Sequence, residues 1–173
     1  MRHVALIAGV VVGLAALGAS AMHSRGQNQM IVVYNPSDSV ARGWYRIGPA
    51  ESLRVGDIVL AWLPTEVAAL AAHRGYLPTG IPLLKRIGAV APQRVCIEGQ
   101  SVSIDGVSVA VAKSADGHGR PMSVWHACRR LSDGELFLLS ATNPASFDSR
   151  YFGPIVASDV IGTAHPIWTW STP

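Results

Sequence analysis

The 173-residue chain lacks any long basic run, and its 14 lysines and arginines outnumber 11 aspartates and glutamates for a formal net charge of only +3. The cations are scattered and no aromatic residues interleave with them, so no nucleic-acid surface is indicated. Internal repeats and low-complexity segments are missing too. Cysteine occurs only at Cys96 and Cys128, and neither the cysteines nor the histidines (3, 23, 73, 118, 126 and 165) show ligand spacing, so no metal site is expected. Nothing fits a nucleotide-binding βαβ unit, and no cofactor is called for.

What the chain does have begins at its N-terminus. Positions 4–21 form an 18-residue run in which only Ser20 is polar. A helix of that length covers roughly 27 Å, just enough for a hydrocarbon core. The run accounts for part of the mean hydropathy of +0.29. Ala19-Ser20-Ala21 also fits the small-residue pattern of a cleavable signal peptide, but the run is longer than a usual signal core, which favours a retained anchor. Both readings send the remainder across a membrane. Arg2 and His3 precede the run and Arg25 follows it, so flanking charge orients it only weakly. In an exported chain, two cysteines read first as a disulfide and second as two buried thiols.

The expected organisation is a transmembrane anchor or signal segment over 1–23, a polar linker over 24–30 and one β domain over 31–173. Short β-rich runs are expected at 31–34, 44–47, 57–62, 83–90, 94–98, 101–104, 107–111, 135–140 and 155–163. Asp105-Gly106 is a strong hairpin turn signal. A single soluble helix is expected around 67–72, with Thr65 as cap and Gly75 as stop. Many short strands with one short helix mean a mainly β, antiparallel domain behind an N-terminal transmembrane helix.

Three segments carry chemistry. In Leu83-Leu-Lys-Arg-Ile87, strand alternation puts Leu83, Lys85 and Ile87 on one face and Leu84, Arg86 and Gly88 on the other. Lys85 therefore sits on the apolar side, where burial lowers an ammonium's pKa. Neutralising an ordinary lysine at pH 7 costs about 4–5 kcal/mol. A lysine made neutral can act as the base that activates a serine. Read alone, the segment fits better a lysine that snorkels past two leucines to water. In Asn35-Pro-Ser-Asp-Ser39, either serine can be a nucleophile with the other as hydroxyl donor, or the pair can be ordinary turn chemistry. In Ser146-Phe-Asp-Ser-Arg150, Asp148 and Arg150 are two apart and suited to an ion pair on one side of a strand. Ser146 shares that face.

Taken together and in this order, the three segments resemble the Ser–Lys type of bacterial signal peptidase, and more closely the TraF-type peptidases of conjugative transfer. Pro36-Ser-Asp-Ser39 resembles the signal-peptidase nucleophile box. Asn35-x-Ser-x-Ser-x-x-x-Gly-x-Tyr45 is closer still to the TraF form. Gly75-Tyr-Leu-Pro78 and Pro82-Leu-Leu-Lys-Arg86 resemble the lysine segment, and Ser146-x-Asp-Ser-Arg-Tyr-Phe-Gly-Pro154 the C-terminal box. The resemblance runs from the anchor nearly to the C-terminus. It implies a signal-peptidase-like β domain with Ser39 as nucleophile and Lys85 as general base. It also implies that Ser37 and the Ser39 backbone N–H form an oxyanion hole, that Ser146 orients the lysine and that Asp148 is a third catalytic residue. Paired cysteines recur in that group. Where the family usually has proline two residues after the nucleophile, this chain has Ala41.

The expected activity is that of a membrane-anchored serine endopeptidase on the periplasmic side of a bacterial inner membrane. Its partners would be the lipid bilayer, through residues 4–21, and an exported precursor such as a conjugative pilin, which it would cleave or cyclise. The alternatives are a housekeeping type I signal peptidase and a non-catalytic periplasmic component of a conjugation or secretion apparatus.

Overall fold

The structure, a computed structural model, describes residues 31–140 and 142–170. The apolar run at 4–21 and the linker at 24–30 lie outside the described residues. Among the described residues no helix is long and apolar enough to cross a membrane. Among the described residues, eleven strands form two antiparallel sheets, one of seven strands and one of four.

The larger sheet has the order β1-β2-β11-β3-β4-β9-β10. Its strands are β1 (Ile31–Asn35), β2 (Arg42–Gly48), β3 (Ile58–Ala61), β4 (Leu83–Val90), β9 (Glu135–Leu138), β10 (Ile155–Val156) and β11 (Val160–Trp170). The smaller sheet has the order β7-β6-β5-β8, from β5 (Arg94–Glu98), β6 (Ser101–Ile104), β7 (Val107–Val111) and β8 (Cys128–Arg130). Asp105 and Gly106 join β6 to β7 with φ of 50° and 83°, the two positive values that a type I′ hairpin turn needs.

Alternation along β4 follows the expectation. Leu83 and Ile87 are buried with Val59, Leu136 and Leu138. Arg86 takes the opposite side, exposed, and donates to the Gly56 carbonyl. Leu84 packs with Val40, Tyr45, Leu60 and Ala164 in a second cluster beneath β1–β2. A third cluster joins the small sheet, through Val95, Ile97 and Val102, to Ala89, Phe137 and Leu139. Strands β4 and β9 thus contribute to both the first and the third cluster.

Several local expectations change. The expected helix is α1 (Thr65–His73), but Pro64 is its N-cap and Thr65 its first residue, with no side-chain cap. Proline needs no N–H there, and its fixed φ suits the entry. Gly75, at φ 72°, follows the C-cap Arg74 as the expected stop. The domain has more than one helix. Asp148 and Arg150 do not lie on a strand, because Asp148 caps the four-residue α2 (Ser149–Phe152) by accepting from the Arg150 N–H. The strand expected over 155–163 is broken by a 3-10 turn at Ala157–Asp159. Strand β8 is additional. It sets Cys96 opposite Cys128 in register, and the two are joined as a disulfide closing a separation of 32 residues.

Candidate active site

The turn between β1 and β2, the middle of β4 and the loop before α2 meet in one place. Lys85 is 1% exposed and the Ser146 side chain is buried beside it. The Lys85 ammonium nitrogen Nζ lies 2.6 Å from Ser39 Oγ and 2.5 Å from Ser146 Oγ. The two hydroxyls are 3.2 Å apart. Lys85 therefore does not snorkel to water, since its polar end finds two hydroxyl partners inside the protein. Burial lowers its pKa from 10.5 to about 8, against the attraction of Asp148 and with a smaller push from Arg150. A lysine in that state, one hydrogen bond from a serine hydroxyl, can take the hydroxyl proton and make the oxygen a nucleophile.

The loop that carries Ser39 is held from inside by Asn35, which is 4% exposed. Its side-chain amide donates to the carbonyls of Ser37, Val40 and Ala41. Its Oδ1 accepts from the Ser37 N–H and, at 2.9 Å, from the Ser37 hydroxyl. The Tyr45 hydroxyl donates to the Ala41 carbonyl at 2.6 Å. Gly43 closes the motif for a steric reason. Its φ is 139°, and a Cβ there would sit 2.2 Å from the Trp168 carbonyl oxygen of β11. These contacts account for Asn35, Gly43 and Tyr45 in the Asn-x-Ser-x-Ser-x-x-x-Gly-x-Tyr pattern. The motif was the signal for them, but nothing in the residues alone said that Asn35 would brace the turn. They also hold the turn at Ala41, whose carbonyl accepts from both Asn35 and Tyr45.

Asp148 and Arg150 are 0% and 1% exposed and form a two-point ion pair, at 2.7 Å through Arg150 Nε and 2.9 Å through Nη2. Arg150 also donates to the carbonyls of Ser146, Asn143, Pro144 and, in β7, Val111. It thereby shapes the loop that presents Ser146. Asp148 Oδ2 accepts from the Ser140 N–H at 3.0 Å. The structure thus brings Ser39, Lys85 and Ser146 into direct contact. It leaves Asp148 one residue removed, bonded to Arg150 and Ser140, and places Ser37 on the same loop as Ser39 with its hydroxyl turned to Asn35.

A cleft of about 880 Å³ opens on these groups. Ser37, Ser39, Lys85 and Ser146 line it together with apolar side chains such as Val33 and Ile81. Tyr76 and Asp116, which also line it, make a contact that the sequence did not suggest. The Tyr76 hydroxyl bonds the Asp116 carboxylate, which also takes Arg120, and both bonds hold that carboxyl well below the usual range. Cys96, Glu98 and Cys128 lie close enough to share a cation. The two sulfurs are bonded to each other, which leaves no thiolate to ligate one.

The model of the family described as signal peptidase, peptidase S26, matches residues 1–170. A conjugal transfer protein TraF of Agrobacterium fabrum is 36% identical, over 92% of this chain and 93% of that one. A plasmid transfer protein TraF of Escherichia coli is 29% identical, over 95% of this chain and 93% of its own length. A probable conjugal transfer protein TraF of Sinorhizobium fredii is 38% identical over 68% of this chain, a match that spans 65% of that relative. Among solved structures, a signal peptidase I of Enterococcus faecalis aligns with a TM-score of 0.39 and 19% identity, over 65% of this chain and 97% of its own. Sequence, over nearly the whole chain, is therefore what places it: the protein belongs to the signal peptidase family, peptidase S26, with TraF-type relatives.

Proposed function

We propose that the chain is a membrane-anchored Ser–Lys endopeptidase that processes an exported precursor, such as a conjugative pilin, at the periplasmic face of the inner membrane. The observation that carries this reading is the buried Lys85 Nζ at 2.6 Å from Ser39 Oγ.

Neutral Lys85 accepts the Ser39 proton as Oγ attacks the scissile carbonyl, and Ser146 keeps the amine pointed at Oγ. The oxyanion is met by the Ser39 backbone N–H and the Ser37 hydroxyl, which must turn from Asn35 Oδ1 to do so. One such donor is typically worth about 3–4 kcal/mol in the transition state. Protonated Lys85 then delivers the proton to the leaving amine. The acyl group on Ser39 passes to water, or to the precursor's own N-terminal amine to give a circular product.

The membrane placement is supported by the apolar run at 4–21 and by an aromatic surface on β1, β2 and β11. Tyr34, Trp44, Trp168 and Trp170 are all exposed there, and their rings contact one another. Such clusters suit the headgroup region of a bilayer. The TraF names of the relatives support the conjugative substrate.

Co-expression with a pilin precursor tests the proposal by mass spectrometry. Cleavage is expected with the native chain and none with Ser39→Ala, and a cyclised product is one water lighter than the linear one. Retained cleavage by Ser39→Ala overturns the assignment. With the Lys85 pKa at about 8, about one molecule in ten carries the neutral base at pH 7. Activity should then rise about tenfold with pH toward a plateau above 8. A profile flat from pH 6 to 9 overturns the general-base role.

A further inference from the structure

Asp148 does not reach Lys85 through a hydrogen bond. The lysine donates to Ser39 and Ser146, while the carboxylate receives from the Arg150 N–H and guanidinium and from the Ser140 N–H. Ser140, just past the end of β9, is 3% exposed. Its hydroxyl donates to the Ser39 carbonyl at 2.9 Å, across 101 positions of sequence, and accepts from the Asn143 N–H at 3.3 Å. We propose that Ser140 is a positioning residue for the nucleophile, and that Asp148 acts on the site by fixing Ser140. This inference rests on the Ser–Lys reading above.

The physical content is a two-sided clamp. Asn35 fixes the carbonyls of Ser37, Val40 and Ala41 from within the loop. None of these bonds fixes the peptide plane that follows Ser39, one of the two planes that adjoin the Cα carrying the nucleophilic side chain. The Ser140 hydroxyl holds that plane from the segment just past β9. Ser140 itself is held through its N–H by the carboxylate of the buried Asp148–Arg150 pair. A chain of contacts thus runs from the ion pair to the backbone of the nucleophile without passing through the lysine. Its role is to keep Ser39 Oγ in line with Nζ. Misplacement on the order of 1 Å at a reacting atom can cost about a hundredfold in rate. Losing the hydroxyl should therefore slow acylation and leave the proton chemistry of Lys85 as it was.

The test uses the full chain in detergent with N-acetylalanine p-nitrophenyl ester, which reports acylation of the serine with little demand on the leaving group. Ser140→Ala should lower kcat about 10- to 100-fold. KM should stay within about twofold, and the midpoint of the pH–rate limb should not move, because Lys85 keeps its burial and its charged neighbours Asp148 and Arg150. Ser140→Thr, which retains the hydroxyl, should recover most of the rate. A native rate in Ser140→Ala overturns the proposal, as does a shifted pH limb, which would put Ser140 in the proton path. Ser140→Thr as slow as Ser140→Ala overturns it as well. Ser39→Ala separates the two levels of the argument. If Ser39→Ala turns over the ester at the native rate, the Ser–Lys reading has failed. If Ser39→Ala is inactive while Ser140→Ala is fully active, only the clamp has failed.

Discussion

Replacing Lys85 with methionine removes the ammonium and keeps nearly the same unbranched volume in the core. The native pKa is lowered by burial from 10.5 to about 8, so holding the charge inside the folded domain costs about 3 kcal/mol at neutral pH. The sign follows from proton counting. Below pH 8 the lysine is charged in both the native and unfolded states, and the cost is fully present. Between pH 8 and 10.5 the unfolded chain keeps its proton while the native state has released it, so native stability rises through that window. Above 10.5 both are neutral and the cost is gone. Methionine has no such dependence. It forfeits the bonds to Ser39 and Ser146, but those hydroxyls lie 3.2 Å apart and can bond each other, which limits the loss to about 1 kcal/mol. Lys85→Met should therefore abolish cleavage and stabilise the fold by about 2 kcal/mol at pH 7. That advantage should shrink by about 2–3 kcal/mol on going to pH 10. Urea unfolding of both chains, in steps from pH 7 to 10, measures it, because all other titrating groups are common to the pair and cancel. A stability difference that stays constant over this range would mean that Lys85 titrates normally in the native state, and would refute the burial argument for a neutral base.

Asp148→Asn leaves the buried Arg150 without its counter-charge and should destabilise the fold by about 3–5 kcal/mol, read as a lowered melting temperature. Asp148 also raises the Lys85 pKa while Arg150 lowers it, so in whatever fraction folds, the base limb of the pH–rate profile should move to lower pH. A limb moving upward would contradict that electrostatic assignment. Replacing Cys96 and Cys128 with serine opens a loop of 32-residue separation, and loop-closure entropy sets the expected loss at about 3–4 kcal/mol. Unchanged melting would show that the link contributes no net stability.

The placement of the site residues shows why some of it could be read early. Lys85 is a charge in a β-rich apolar run, and period-two alternation fixes which neighbours share its face. Leu83 and Ile87 are buried as that rule requires, and Arg86 is exposed. The Ser39 turn and the Asp148–Arg150 pair were visible as local patterns, because hydrogen bonds and ion pairs between residues two to six apart depend mainly on local chain geometry. Strand alternation misled at Asp148, where the carboxylate instead caps a one-turn helix and binds Arg150 from there. A cap and a strand face bring residues two apart into the same contact, and the sequence does not distinguish them.

By itself, then, the sequence determined a β domain behind an apolar N-terminal run, the hairpin at Asp105-Gly106, a lysine facing the core and a turn rich in serine. These follow from periodicity, turn chemistry and hydropathy, which act over a few residues. Only the tertiary structure decided that Ser39, Lys85 and Ser146 meet, because they lie 46 and 61 positions from one another along the chain. It alone placed Ser140 against the Ser39 carbonyl and Asp148 behind Ser140. Those contacts depend on strand order, which sets β4 between β3 and β9. That order is fixed by how the whole chain buries its apolar faces, and no local pattern encodes it.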